Sequence, residues 1–320
     1  MSIDFNLLHG LSKYRSQLMG VAIIWIMLFH SGIDAPDNFV LRAIWYIFVS
    51  FGGGCGVDLF FMLSGYGLVY SASKLSSSRE WIPWIGKRLK RIVPSYLIVA
   101  VMYYMLCDQL SWYNLLQLSF LLDGVRDFWF IPAIIICYLF FPLVFGSCKK
   151  YGFRICCTVY VLLVLLGSVV LAHYLPDYFC KTEIFLLRIP CFIIGVYCGF
   201  LSKNNLLREY GYFIAASFCL TALCFLISFP GDGRWCFTFG SVLIVQFIVF
   251  VVQNINAGGG KICLLSEFCG KRSLQIYLVH VSIGGLMASH ISSFPLSMVV
   301  YFIGSIAIAV VIYKLTEVFF

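Results

Sequence analysis

Apolar residues come in runs long enough to cross a bilayer, broken by short polar stretches. This pattern predicts an all-α, polytopic integral membrane protein with about ten transmembrane helices. The runs cover residues 18–33, 43–71, 92–107, 128–147, 153–173, 184–202, 210–229, 235–253, 271–291 and 295–318. The third is short, and the second is long enough to tilt or to bend at its glycines. Between the third and fourth, residues 108–127 form the longest loop on the side opposite the N-terminus and carry Trp112, Asp123, Arg126 and Asp127. No internal repeat or low-complexity stretch interrupts the pattern, so residues 1–320 read as a single transmembrane domain with no appended soluble domain. No small-residue cleavage motif follows the first run, which therefore reads as an uncleaved span and not as a signal peptide.

The basic residues orient these spans, because short cytoplasmic loops are enriched in Lys and Arg. With the N-terminus inside, 17 of the 22 fall on the cytoplasmic side, and only Arg42, Arg126, Lys181, Arg188 and Arg234 fall outside. Both termini therefore read as cytoplasmic. The chain is 62% hydrophobic and 11% charged, whereas a soluble domain carries about 25% charged residues. Its mean hydropathy of +0.96 agrees. A net charge of +8 suits nucleic acid in principle, but the basic residues sit in short loops as topology-setting charges, and no nucleic-acid partner is expected. The 14 cysteines lie mostly inside apolar runs with no C-x-x-C pair. They read as small apolar residues, with no disulfide framework and no metal site.

Against this background a few polar groups stand out. Residues 15–30 place a cation, Arg15, at the foot of the first span and an imidazole, His30, near its head. Fifteen residues of helix advance about 22 Å and leave the two side chains on roughly one side. Residues 52–66 read Gly-Gly-Gly-Cys-Gly-Val-Asp-Leu-Phe-Phe-Met-Leu-Ser-Gly-Tyr, and Asp58 is the one carboxylate placed inside a predicted span. Such an acid orients a catalytic histidine, pairs with a buried cation, or is satisfied by glycine-loop amides at the helix start. Ser64 lacks the G-x-S-x-G elbow of a serine nucleophile. Arg88 and Arg91, in the loop before Pro94, are three apart and suited to gripping a phosphate together, or they simply anchor the loop at the membrane. Trp129 belongs to an aromatic stretch, 128–132, that opens the fourth span. Tyr277 and His280 share a helix face in the ninth, where they either line the same cavity as His30 or make a helix contact.

Taken in order, these motifs resemble the acyltransferase family 3 membrane proteins. They are a basic residue and histidine in span one, Gly-Val-Asp-Leu-Phe-Phe-x-Leu-Ser-Gly in span two, Lys-Arg-x-x-Arg-x-x-Pro before span three, and Ser-Leu-x-Ile-Tyr-Leu-Val-His in span nine. The similarity runs from about residue 12 to 285. It implies a multi-pass enzyme of the inner (cytoplasmic) membrane that takes an acetyl or other acyl group from acyl-CoA, as donor substrate and with no bound cofactor, and delivers it to a glycan or lipid-linked saccharide. Membrane lipids are the remaining partner. His30 matches the histidine of the family's Arg-x10-His signature, and Arg88 and Arg91 match its Arg-x-x-Arg pair. Two positions depart: Met19 stands where the signature's arginine belongs, with Arg15 one turn earlier, and Ile134 stands where a Trp-x-x-x-x-Glu glutamate often occurs.

The expected chemistry follows. Arg88 and Arg91, helped by Arg15, hold the phosphates of acyl-CoA. His30 acts as general base or transient acyl carrier, with Asp58 holding or charging its ring. Ser64, Trp129, Tyr277 and His280 line the route. A secondary transporter with buried Asp and His in its pathway is the alternative; it would show repeat symmetry between halves, which the sequence lacks, and it leaves the arginine pair without a purpose.

Overall fold

The computed structural model of the chain describes residues 7–46, 49, 52–227, 234–257 and 261–319, and among them no residue is in a strand. In chain order the helices are α1 (Leu7–Lys13), α2 (Arg15–His30), α3 (Phe39–Trp45), α4 (Gly52–Ala72), α5 (Trp81–Leu106), α6 (Trp112–Leu115), α7 (Phe130–Tyr151), α8 (Phe153–Tyr174) and α9 (Pro176–Leu186). They continue with α10 (Ile189–Lys203), α11 (Leu207–Ile227), α12 (Arg234–Ala257), α13 (Lys261–Lys271), α14 (Ser273–Val279), α15 (Gly285–Ser289), α16 (Phe294–Val299) and α17 (Ser305–Thr316). Among the described residues, six helical stretches are long and apolar enough to cross a membrane: Gly53–Ala72, Ser78–Leu106, Phe130–Tyr151, Phe153–Tyr174, Pro176–Lys203 and Phe294–Phe319. Shorter apolar helices cover Arg15–His30, Phe239–Ile255 and Ser273–Ser289. Residues 47, 48, 50 and 51 of the second expected span and 228–229 of the seventh lie outside the described residues.

The chain divides into two compact units. The first comprises Met1–Lys74, Val144–Leu166 and Leu187–Lys271. Its centre is α4, which packs against α2, α10 and α12. Helices α2 and α4 are antiparallel: Gly53 of α4 meets Phe29 at the end of α2, and Gly67 meets Arg15 at its start. Helix α10 instead runs parallel to α4, pairing Asp58 with Arg188, Met62 with Gly195 and Tyr66 with Ser202. Backbones touch at this crossing, since a methyl group on Gly65 would strike the Phe192 carbonyl and one on Gly195 would strike that of Met62. Small residues at a contact are how helices associate in a bilayer, where burial against lipid-like neighbours supplies little driving force.

The second unit comprises Leu75–Leu143, Gly167–Leu186 and Arg272–Phe320. Helix α5 starts at Trp81 and carries Pro94 in its interior, so the third span begins well before the expected residue 92. Arg88 and Arg91 stand on this helix and not in a loop. The proline forfeits the backbone bond to residue 90, but breaking the helix would strand several amides and carbonyls where no water can reach them. Polar side chains inside the unit satisfy one another. Gln275 Nε2 donates to Ser95 Oγ at 2.9 Å, and Ser95 Oγ lies 3.1 Å from Thr316 Oγ1, which joins α5, α14 and α17. The expected ninth and tenth spans each contain a wide π turn, His280–Gly284 and Val300–Gly304.

The expected loop 108–127 is partly ordered into α6 and a π turn, Ser119–Asp123, closed by Gly124 at φ +79°. It is tied to α9, because Arg126 Nη2 lies 3.2 Å from Glu183 Oε1 and Lys181 Nζ donates to the Leu122 carbonyl at 3.1 Å.

Candidate functional site

His30 is the last residue of α2 and is exposed. Its Nδ1 lies 2.9 Å from the carbonyl oxygen of Ile26, one turn back. A carbonyl only accepts, so this nitrogen carries the proton, and the lone pair of the neutral ring sits on Nε2. The ring stands edge-on to Phe29 with centroids 5.0 Å apart.

Asp58 is fully buried, and its Oδ1 lies 3.1 Å from Nε of Arg188, itself 6% exposed. The side chains of Cys191 and Ser241 are also directed at the carboxylate. A buried charge persists only beside a compensating one. Of the readings open to Asp58, the structure shows the pairing with a buried cation: its ion-pair partner is Arg188. The cause lies in the helix register. Gly53, Gly56 and Gly67 mark the face of α4 turned to α2, and Asp58, two residues beyond Gly56, is rotated by about 200° from that face toward α10.

Arg15 opens α2, at the end opposite His30, and lays its guanidinium across α4 at Gly67, where an added methyl group would sit 3.1 Å from Cζ. The absent side chain at 67 makes room for it. Ser64 is buried within α4.

In the second unit, Arg88 Nη1 donates to the Trp84 carbonyl at 2.8 Å, and its guanidinium carbon lies 3.6 Å from the centre of the Trp84 ring. Trp84 stacks in turn on Phe141, with 5.5 Å between centroids and 15° between planes. The cation is thus held over an aromatic shelf, with exposed Arg91 a turn along the same helix. Trp129 is buried beside Phe120 and Phe130. Tyr277 packs on Phe130 with centroids 5.0 Å apart, and its ring lies 5.5 Å from that of His280, as their shared helix face predicts. His280 is buried, opens a π turn, and repeats the tautomer arrangement of His30, with Nδ1 3.0 Å from the Ile276 carbonyl. Single π turns are frequent at functional positions.

Three features escaped the sequence reading. One is the pairing of Arg188, which the charge count places outside; the signal is its position within the apolar run 184–202, directly before Ile189 and Pro190. Glu183, only 8% exposed, joins Asp58 as a buried acid. Gln117 bridges α5 and the 108–127 segment, donating from Nε2 to the hydroxyls of Tyr96 at 2.9 Å and Tyr104 at 3.1 Å. Among the described residues no three His, Cys, Asp or Glu side chains gather as metal ligands.

Comparison with known proteins found no matching curated protein and no matching solved structure. A family model described as an acyltransferase domain, of the acyltransferase 3 type, matches residues 18–314. That range takes in α4, α5 and α14 whole and α2 from Leu18 on, and with them every side chain of the candidate site except Arg15. Together with its apolar helices, the match makes this a multi-pass membrane protein, and the chain belongs to the acyltransferase 3 family.

Proposed function

We propose that the chain is an O-acyltransferase of the inner (cytoplasmic) membrane, with ten spans and both termini cytoplasmic. In this reading it moves an acetyl group from acetyl-CoA to a hydroxyl of a cell-surface or lipid-linked glycan. The observation that carries it is the imidazole at the end of α2, held through Nδ1 by the Ile26 carbonyl, within a chain that belongs to an acyltransferase family almost throughout. Tethered in this way, the neutral ring keeps its basic lone pair on Nε2, a group able to accept a proton or an acyl carbon.

As a base, Nε2 takes the proton from the acceptor hydroxyl while its oxygen attacks the thioester carbonyl. The carbon–oxygen bond forms, the carbon–sulfur bond breaks, and the proton is passed to the departing thiolate. As a carrier, Nε2 itself attacks the thioester and expels the thiolate; the acetyl group then passes from Nε2 to the hydroxyl oxygen, and the hydroxyl proton goes to the thiolate. Arg88 and Arg91 hold the coenzyme A phosphates. The stacking of Arg88 on Trp84 suits that task, because a guanidinium already fixed in orientation loses little freedom on binding. Arg15 adds a third cation, and Ser64, Trp129, Tyr277 and His280 line the passage of acyl group or acceptor. Asp58 supports the site indirectly, by locking α4 to α10 through Arg188.

The test is glycan O-acetyl content in cells expressing His30→Ala at the wild-type level. Loss is expected, and an unchanged content removes His30 from the chemistry. Arg88→Ala is expected to abolish thermal protection of the purified protein by acetyl-CoA, whereas His30→Ala retains it. Retained protection in Arg88→Ala removes Arg88 from donor binding.

A further inference from the structure

The first unit holds a cavity of about 250 Å³ that the acyl-transfer chemistry does not use. Its walls are α8, α10, α11 and α12, and they are almost entirely apolar: Thr158, Leu162, Tyr197, Ala216 and Leu220 are among the lining residues, with Arg154 the one charged residue. From Arg154 to Leu165 the α8 wall extends about 16 Å along the helix axis, so the cavity reaches from a membrane surface well into the hydrocarbon. Ala216, Thr158 and Leu162 are exposed on the protein surface, so the cavity opens toward the surrounding acyl chains.

Arg154 is exposed at the second residue of α8 and makes no hydrogen bond or ion pair among the described residues. Lys149 and Lys150 end the preceding helix, α7. Glu209 of α11 and Arg154 both lie close enough to Tyr197 to interact with it electrostatically. An apolar slot as deep as one leaflet, with an uncommitted guanidinium at its surface end, matches a single lipid class: one acyl chain below and an anionic head group above.

We infer that this cavity is a binding site for an anionic phospholipid, with one chain in the slot between α8, α10 and α11 and the phosphate on Arg154. The site is independent of the acyl-transfer reading, and neither Arg154 nor the cavity wall enters that chemistry.

The test uses the full-length protein, purified and equilibrated with equal amounts of phosphatidylglycerol and phosphatidylcholine of the same chain length. Retained lipid is counted by native mass spectrometry. The wild type is expected to retain one phosphatidylglycerol in preference to phosphatidylcholine by about fivefold, the ratio one basic side chain at a membrane surface supports. Arg154→Gln is expected to erase the preference, and Glu209→Gln to raise it. Ala216→Trp, which places its ring in the slot from an exposed position, is expected to remove the retained lipid of either head group while the protein stays monodisperse. Equal retention of the two lipids by the wild type, a preference that survives Arg154→Gln, or a lipid that survives Ala216→Trp overturns the site.

Discussion

Asp58 and Arg188 show what one residue costs in this setting. Each neutralises a charge the bilayer interior does not solvate, so removing one leaves the other uncompensated, a loss of about 3–5 kcal/mol for a buried pair. Asp58→Asn and Arg188→Gln should each lower the melting temperature of the purified protein, whereas the double change Asp58→Asn with Arg188→Met should recover much of the loss. Additive losses would show that the pair is not coupled. The half-buried carboxyl of Asp127, in the loop before α7, gives a second prediction. Burial raises its pKa above the usual carboxylate range. Its charged form is therefore disfavoured in the folded loop, and the penalty fades as pH falls through the raised value toward the ordinary one. Amide protection factors around residues 124–129, taken relative to the intrinsic exchange rate at each pH, should rise on mild acidification and become insensitive to pH over that window in Asp127→Asn.

At the scale of the element, glycine decides how closely two helices meet. Gly195 lies against the α4 backbone at Met62, whereas nothing stands within 4 Å of a methyl group built on Gly211. Gly195→Ala should destabilise by about 1–3 kcal/mol, with Gly211→Ala, whose methyl group meets nothing within 4 Å, as the control. Equal melting temperatures for the two variants would refute the tight crossing. The sequence showed where helices fall because long apolar runs leave a bilayer-crossing chain few other choices. It concealed where they end. Pro94 read as a helix start, because proline usually ends regular structure in water, but hydrocarbon penalises a broken helix more than a missing amide. The site was legible in the same uneven way. Ionisable residues are rare in apolar runs, so Asp58 and His280 announce themselves. The partner of Asp58 was not legible, because Arg188 lies far along the chain and nothing local couples the two. The aromatic shelf under Arg88 was hidden for a similar reason: Trp84 is within one turn, but Phe141 arrives from α7.

For the molecule as a whole, orientation is the quantity that the distribution of Lys and Arg predicts and that an experiment reads directly. Alkaline phosphatase fused within residues 108–127 should be active, and fusions within residues 203–208 should be inactive, if the 17 basic residues assigned to the cytoplasm lie there. The reverse pattern would invert the topology and move Arg88 and Arg91 away from the side on which the proposed donor, acetyl-CoA, is available. The 108–127 segment should also be hard to cleave while its ties to α9 hold, and Arg126→Gln, which removes the contact to Glu183, should expose it to added protease.

The parallel pairing of α4 with α10 has a consequence for biogenesis. Helix α4 enters the membrane long before the ribosome reaches residue 188, and the intervening synthesis takes on the order of ten seconds. During that interval Asp58 has no Arg188 to meet, and Gly65 of α4 has no helix to close on. A nascent chain halted between residues 74 and 187 therefore carries an acid stranded in lipid, a mark by which membrane quality control would recognise it. Such truncations should be degraded quickly, and Asp58→Leu in the same truncations should lengthen their lifetime.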